Sequence, residues 1–276
     1  MPTFAVIADM HGNLPALEAV LDDLAVVRPD AIYIAGDFVN RGPASGAVVE
    51  RAMALGLPAI SGNHDTWLAS MAQGKHIPEN WDDSWWQPQR LAVSELTPAM
   101  VAWVESLPAA MRIELPGAAP ALLVHGSPKS SRQGMGRTLS HEQATEMLRT
   151  IEESTVIGAH IHYPWERHVN GAHMVVIGAV GCPFNGDINA QYGLFTWDSA
   201  DEEWRFEHHS VPYDHEQLYA AWQNSGYLDG GCLSSELMLL EHRTAHTHYV
   251  PFWDWCVAND LPLNRESYER FAAERG

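Results

Sequence analysis

In the first 65 residues of the chain, short apolar strands alternate with helices, and each strand runs into a polar loop. The pattern predicts strands over Thr3–Ala8, Ala31–Ala35 and Pro58–Ile60, with helices over Asn13–Ala25 and Ser45–Leu55 between them. This β-α-β-α-β alternation is typical of a layered α/β core with parallel strands. Ligands of such sheets bind beyond the carboxyl ends of the strands, so the loops that follow the strands are the candidate site.

Each of these loops carries side chains that ligate divalent metals. The runs are Asp9-Met10-His11-Gly12, Gly36-Asp37 and Gly62-Asn63-His64-Asp65. Asp, Asn and His supply the oxygen and nitrogen donors that such ions prefer. Two later apolar runs end in the same way, at His125-Gly126 and at His160-Ile161-His162. Independent loops rarely share one ligand chemistry by chance, so the sequence predicts a metal cluster.

The ordered motifs Asp-x-His, Gly-Asp, Gly-Asn-His-Asp, Val-His-Gly and Gly-x-His-x-His closely resemble those of the calcineurin-like metallophosphoesterase superfamily. The resemblance covers about residues 3–185. It implies an α/β fold in which a two-sheet β-sandwich is flanked by helices. It also implies two divalent metal ions, with Mn²⁺ preferred and Fe or Zn²⁺ as alternatives.

The superfamily pattern also implies which residues hold each ion. The first ion takes Asp9, His11, Asp37 and His162, and the second takes Asp37, Asn63, His125 and His160. Asp37 is suited to bridge, because a carboxylate offers one oxygen to each of two ions.

The resemblance implies hydrolysis of phosphate esters, with a metal-bound hydroxide attacking phosphorus and His64 as the general acid. Arg41 follows Gly36-Asp37 as in the phosphoprotein-phosphatase branch, where it would clamp a phosphate; a surface arginine is the alternative. Asn40 stands where that branch has a carboxylate that orients the histidine. We therefore expect His64 to be a weaker acid–base group unless Asp65 compensates.

Several functional alternatives stay open at this point. Within the enzyme class, the sequence does not separate a phosphodiesterase from a phosphomonoesterase or a dinucleoside-polyphosphate hydrolase. A catalytically weak, metal-bearing scaffold or binding protein is a second class. A serine hydrolase is a third, but Ser61 and Ser127 both lack the Gly-x-Ser-x-Gly context.

Two further groups of residues are candidates for metal binding or substrate contact. His246 and His248 resemble the pair His160 and His162, but a helical pattern and no strand precedes them, so we expect the earlier pair to be the ligands. Weak surface metal binding by His242, His246 and His248 is the residual alternative. Lys129, Arg132 and Arg137 follow His125 and are either substrate contacts or a solvated basic loop.

The later part of the chain predicts more strands and two helical additions. Strands are expected over Met111–Leu115, Ala121–Val124 and Thr155–Gly158, a helix over His141–Ile151, and antiparallel strands over Met174–Ile177, Tyr192–Trp197 and Trp204–Val211. We assign 1–212 to the catalytic domain, including a tryptophan-rich helical insertion at 67–107, and 213–276 to a helical, aromatic C-terminal extension. Tryptophans of the insertion are expected to pack it down, with a substrate-facing aromatic as the alternative. The extension would cap the domain or form a homo-oligomer contact.

Charge and cysteine content limit the partners. The net charge of −19 disfavours long nucleic acids and anionic membranes, which need a basic face. A small phosphate ester or a phosphopeptide fits, because bound metal ions restore local positive potential. The three widely spaced cysteines and the absence of a basic, apolar leader after Met1 predict a cytoplasmic protein.

Overall fold

The computed structural model describes residues 1–275. Its strands are β1 (Thr3–Ile7), β2 (Ala31–Ile34), β3 (Ala110–Ile113), β4 (Ala121–Val124), β5 (Thr155–Gly158), β6 (Trp165–Val169), β7 (Ala172–Val176), β8 (Ala190–Asp198) and β9 (Glu203–Val211). Its helices are α1 (Leu14–Val27), α2 (Ser45–Leu55), α3 (Asn63–Ala72), α4 (Gln87–Ser94), α5 (Pro98–Ser106), α6 (His141–Leu148), α7 (His215–Asn224), α8 (Leu233–Thr244), α9 (Tyr249–Asn259) and α10 (Arg265–Arg275).

The strands form two sheets that pack face to face. The first sheet has the order β2-β1-β8-β9 and the second the order β3-β4-β5-β7-β6. Alternate residues of β1 serve the two faces of the first sheet, as a pleated strand requires. Phe4 and Val6 pack with Leu123 and Ile157 of the second sheet, and Ile7 packs outward with Leu17 of α1. The predicted two-sheet sandwich with flanking helices is confirmed.

The parallel neighbours place the candidate loops at one edge. Strand β1 runs parallel to β2, and β4 runs parallel to β5, which runs parallel to β7. The carboxyl ends of β1, β2, β4 and β5 each lead directly into one of the polar motifs. The two sheets therefore bring together residues that are far apart in the chain: His11 and His162 are 151 positions apart.

Three details of the sequence interpretation were wrong. Pro58–Ile60 is not a strand but a single bridge between Ile34 and Ala59, because the chain turns into α3 at Asn63. Strand β6 was not predicted, and β7 pairs parallel with β5 as well as antiparallel with β6, whereas only antiparallel pairing was expected there. Helix α3 begins at Asn63, and the bounds 67–107 of the insertion stay a prediction.

The insertion and the C-terminal extension pack against each other. Trp85 and Trp86 of the insertion share a buried cluster with Leu237, Phe252 and Phe271 of the extension. The extension therefore covers the insertion with the aromatic residues that the sequence singled out. No helix within residues 1–275 is long and apolar enough to cross a membrane.

Candidate metal centre

The predicted ligands converge where the ends of the two sheets meet. Backbone bonds tie the loops together: Asp9 N–H donates to Gly36 O (2.9 Å), and His11 N–H donates to Asp37 O (3.0 Å). Asp9 and His11 follow β1, and Asp37 follows β2. The remaining predicted ligands come from the first turn of α3 and from the loops after β4 and β5: Asn63, His125, His160 and His162.

Several of these ligands have left-handed backbone conformations. The φ angles are 54° at Asp9, 46° at His11, 56° at Asp37, 68° at His160 and 54° at His162. Such angles are unfavourable for residues other than glycine and persist where the surroundings fix them, as at active sites. Close packing adds to this, because a Cβ on Gly62 would collide with the Asp37 carboxylate. The packing thus holds these loops in unfavourable backbone conformations in which the ligand side chains point inward.

The donor atoms form overlapping groups within 4.8 Å of one another. One group is Asp9, His11 and His162; a second is Asp37, His125 and His160. Asp37 connects the two, since its Oδ2 lies 3.7 Å from His11 Nε2 and 3.2 Å from His125 Nε2. Asn63 Oδ1 lies 3.0 Å from His125 Nε2 on the same side. A third group is His11, Asp37 and His64, and the assignment of each residue to one of two ions stays a prediction.

The hydrogen bonds of three histidines direct one ring nitrogen into the centre. The Nδ1–H groups of His11, His125 and His162 donate to the carbonyl oxygens of Val39, Ala35 and Cys182. Their Nε2 atoms are then left as acceptors, which is the tautomer that a metal ligand requires. The His11 and His162 Nε2 atoms are only 3.2 Å apart, so two lone pairs face each other.

The two carboxylates show the same need for a cation. Asp9 Oδ1 and Asp37 Oδ2 are buried and have no hydrogen-bond partner within residues 1–275. Buried charged oxygens without partners are costly unless they coordinate a metal. Oxygen and imidazole donors of this kind fit divalent first-row ions, including the Mn²⁺, Fe and Zn²⁺ of the sequence expectation. The residues present therefore fit a centre for divalent metal.

The pKa values of the ligands respond to this crowding. Burial lowers the pKa of His160 to about 4, and burial also lowers the pKa of His11. Burial acts in the same direction at His125, but the adjacent charge of Asp37 outweighs it and raises the pKa of His125 to about 10. The raised pKa of His125 thus reflects the attraction between its ring and the Asp37 carboxylate, and a bound cation would compete with protons for both groups.

His64 lies beside this centre and is held by an amide. Asn40 Oδ1 accepts from Arg41 N–H (2.9 Å) and from Gln89 Nε2 (3.3 Å), so its NH₂ group faces His64 Nδ1 at 2.8 Å. Nδ1 then accepts, and the single ring proton is on Nε2. Burial, followed by the Arg41 charge, lowers the pKa of His64 to about 3, against an opposing effect of Asp37. His64 is therefore a neutral imidazole with an Nε2–H donor.

Asp65 does not compensate for Asn40. Its carboxylate caps α3 and accepts from the backbone N–H groups of Gly62, Asp37 and Phe38 at 2.7–2.8 Å. This carboxylate shapes the loops but makes no hydrogen bond to His64 in the described part of the chain.

Arg41 is paired with a residue that sequence reasoning missed. Its Nη1 donates to Glu241 Oε2 at 2.5 Å, and both side chains are buried. The guanidinium carbon lies 5.5 Å from the ring centre of Phe184 and 5.8 Å from that of Tyr249. Glu241 Oε1 accepts from the N–H groups of His248 and Tyr249. Arg41 is thus a buried residue of the site and not a surface arginine.

The competing residues lie elsewhere. His242 is buried and donates from Nε2 to Arg41 O (3.0 Å), and His248 contacts Thr244. In the stretch 1–275 these two and His246 do not form a group of three metal donors. Lys129 pairs with Glu146, and Arg137 lies over Tyr163. Arg132 is the one member of the basic loop that reaches the cavity described next.

A cavity of about 490 Å³ opens beside the ligands. Its walls come from the metal loops, the insertion and the extension, and they comprise Asn40, Arg41, Asn63, His64, Trp67, Trp86, Gln89, Arg132, His160, Met238, Tyr249, Val250 and Trp253. Cavities of roughly 300–1,000 Å³ are typical of small-molecule sites. Trp67 and Trp86 of the insertion line this cavity, and a substrate-facing aromatic there stays a prediction.

Comparison with known proteins gives consistent matches. Residues 2–174 match the family model of the calcineurin-like phosphoesterases. A symmetrical bis(5'-nucleosyl)-tetraphosphatase from Acidovorax sp. (strain JS42) is 33% identical over 122 residues, which are 43% of this chain and 42% of that protein. A protein of the same name from Burkholderia pseudomallei (strain K96243) is 43% identical over 68 residues, 24% of each chain. The chain thus matches less than half the length of these relatives.

Solved structures show the same fold. A metallophosphoesterase from Sphaerobacter thermophilus has a TM-score of 0.68 at 22% identity, covering 88% of this chain and 99% of that one. A hypothetical protein from Pyrococcus horikoshii OT3 has a TM-score of 0.71 at 18% identity, covering 90% and 100%.

Proposed function

The chain belongs to the calcineurin-like phosphoesterase family, and we propose that it hydrolyses small phosphate esters with the help of two divalent metal ions. The observation that carries this proposal is the pair of buried, unpartnered carboxylate oxygens of Asp9 and Asp37, which face imidazole nitrogens within the described chain. A serine hydrolase does not need such an arrangement, and a metal-bearing scaffold would share it but would show no turnover.

The ligands of the proposed metals are the seven residues predicted from the sequence. Asp9, His11, Asp37 and His162 would hold one ion, and Asn63, His125 and His160 would join Asp37 around the other. When bound, the ions supply positive charge that stabilises negative charge developing on the phosphoryl oxygens. Two dications also outweigh two carboxylates, so an anionic ester can approach a chain whose net charge is −19.

His64 is the proposed proton donor. Because Asn40 holds Nδ1, the Nε2–H of the neutral ring can donate a hydrogen bond to the leaving-group oxygen, and full proton transfer to that oxygen requires the imidazolium form of the ring. An imidazole that starts neutral is a weaker acid than an imidazolium, so the mechanism suits esters whose leaving oxygen needs only partial protonation.

Arg41 is the proposed phosphate contact. A guanidinium has five N–H donors in a planar fork, and Glu241 engages Nη1. The remaining donors are available to a non-bridging phosphate oxygen in the cavity that Arg41 lines. Glu241 offsets part of the charge of Arg41, which reduces the advantage of a doubly charged monoester over a singly charged diester.

The shape of the cavity favours small esters over phosphopeptides. Tyr249, Val250 and Trp253 of the extension form one wall, so the extension shields the site. Among small esters, a dinucleoside polyphosphate is the second candidate, because the curated relatives are named as symmetrical bis(5'-nucleosyl)-tetraphosphatases.

The test is hydrolysis of bis-p-nitrophenyl phosphate, p-nitrophenyl phosphate and diadenosine tetraphosphate by the Mn²⁺-supplemented protein. We expect turnover that a chelator abolishes, with the diester cleaved faster than the monoester. Ser127→Ala is the control for serine chemistry and should retain activity within about twofold. Turnover that survives chelation, or no turnover of any ester, would contradict the proposal.

A further inference from the structure

Four aromatic rings line the cavity beside the metal ligands. The rings of Trp67, Trp86, Trp253 and Tyr249, here called the aromatic cleft, follow one another with centroid separations of 6.0, 5.6 and 6.2 Å. Its two ends meet the site: His64 lies 6.1 Å from Trp67, and the Arg41 guanidinium lies 5.8 Å from Tyr249. The cleft therefore begins within one ring spacing of the proposed proton donor.

Half of the aromatic cleft lies outside the family match. The match ends at residue 174, whereas Tyr249 and Trp253 are on α9 of the extension. The metal ligands all lie within residues 2–174. The metal ligands thus come from the matched region alone, whereas the cleft is completed by residues that lie outside the match.

A buried polar atom in the cavity also lacks a partner. Gln89 is 1% exposed and lines the cavity; its Nε2 donates to Asn40, but its Oε1 has no hydrogen-bond partner in the described residues. An unpaired buried carbonyl oxygen is unfavourable, so it marks a place for a donor from a ligand. The oxygen is thus suited to accept from an N–H group of a molecule held in the cleft.

We propose that the aromatic cleft is a subsite for a nucleobase, which stacks on its tryptophans and donates an N–H to Gln89 Oε1. Flat aromatic groups gain from stacking on indole rings, and the exocyclic amine of a purine supplies the donor. The residues that line the cavity include no carboxylate, and Glu241 behind them is paired with Arg41. This inference rests on the proposed function in one respect: the bound base would be part of the phosphate ester that the chain hydrolyses.

The experiment measures binding without turnover. Adenosine is titrated into the full chain in chelator by isothermal titration calorimetry, with ribose as the comparison ligand. We expect saturable binding of adenosine and none of ribose over the same concentration range. Because adenosine has no phosphate and the metals are removed, the result does not depend on phosphoester hydrolysis.

Matched tryptophan variants locate the site. Trp253→Leu should weaken adenosine binding on the order of tenfold, the usual scale for loss of one stacking ring. Trp255→Leu is the control, since Trp255 lies on the same helix but packs on Phe271 of α10. Trp67→Leu, at the other end of the row of rings on α3, is a second test and keeps the proposal falsifiable if Trp253→Leu fails to fold by circular dichroism.

The outcomes separate the two proposals. Equal binding of adenosine and ribose, or equal effects of Trp253→Leu and Trp255→Leu, would overturn the nucleobase subsite even if the protein hydrolyses phosphate esters. Base binding that follows the expected variant pattern supports the subsite, and it does so even in a protein that fails every hydrolysis assay.

Discussion

His64 differs from the ligands around it, because its neighbour is an amide and not a carboxylate. Asn40 is fixed by Arg41 N–H and Gln89, so it can only donate to His64 Nδ1. That contact stabilises the neutral ring and leaves one proton on Nε2. Asn40 thus orients the His64 ring as a carboxylate would, but a neutral amide does not stabilise the charged imidazolium form.

Replacing His64 by Ala should lower kcat by about 10²- to 10⁴-fold, the range for loss of a general acid. The metal content should stay at the wild-type level, because the proposed ligands remain. The loss should be larger for an alkyl ester than for a p-nitrophenyl ester, whose leaving group needs less protonation. His76→Ala, at an exposed histidine, is the control. Loss of metal would show that His64 is a ligand, an outcome that its closeness to His11 and Asp37 makes testable.

At the scale of elements, helix α8 ties the extension to the metal loops. Glu241 pairs with Arg41 and caps the start of α9 through the N–H groups of His248 and Tyr249. The adjacent His242 donates to Arg41 O. One turn of a helix thus fixes both the side chain and the backbone of the proposed phosphate contact.

Glu241→Gln should lower the free energy of unfolding by about 3–5 kcal/mol, because it leaves a buried arginine without its counter-charge. The matched control is Glu236→Gln on the same helix, which removes an exposed pair with Arg265. A surface pair contributes about 0–1 kcal/mol, so the control should be near wild type in urea unfolding. Equal effects of the two substitutions would show that the Arg41–Glu241 pair does not anchor α8.

His242 predicts how stability depends on pH. Burial lowers the pKa of His242 to about 4 from an ordinary value of 6.5, so the folded chain holds the ring neutral while the unfolded chain protonates it. This contribution is fully present above the unfolded pKa and is lost as pH falls through 6.5 towards 4.

Between about pH 7.5 and about pH 5, His242 should account for a loss of about 2 kcal/mol in unfolding free energy. Urea unfolding of the chelator-treated protein measures this loss, and His242→Gln should reduce it. His246→Gln, at an exposed histidine of the same extension, should leave the loss unchanged. A pH dependence identical in all three proteins would contradict the assignment.

Over the whole molecule, the features that could be predicted from the sequence are those set by residues close together in the chain. Asp9 with His11, and Asn63 with His64, are each read from one short motif at the end of an apolar run, and the fold then brings the motifs together. Glu241 could not be paired with Arg41 in advance, because 200 residues separate them and only the docking of α8 sets the contact. Gln89 and Trp253 could not be placed at the cavity from the sequence either, because their positions there also depend on how distant helices pack.

The strands show the same dependence on local sequence pattern. Short strands such as β4 and β5 were predicted at their observed bounds because they are apolar runs with clear ends. Strand β6 was missed because its alternating exposed residues, including Glu166 and His168, do not form such a run. Residue roles at the centre and the domain boundary at 212 stay predictions.

The most direct test of the account is a titration of the metal-free protein with Mn²⁺, with hydrolysis of bis-p-nitrophenyl phosphate followed in the same samples. We predict two equivalents bound per chain and activity that rises to its maximum only with the second. Asp37→Asn, which removes the proposed bridge, should bind at least tenfold more weakly and lose turnover. Saturation at one equivalent, or activity that does not depend on bound metal, would contradict a two-metal phosphoesterase centre.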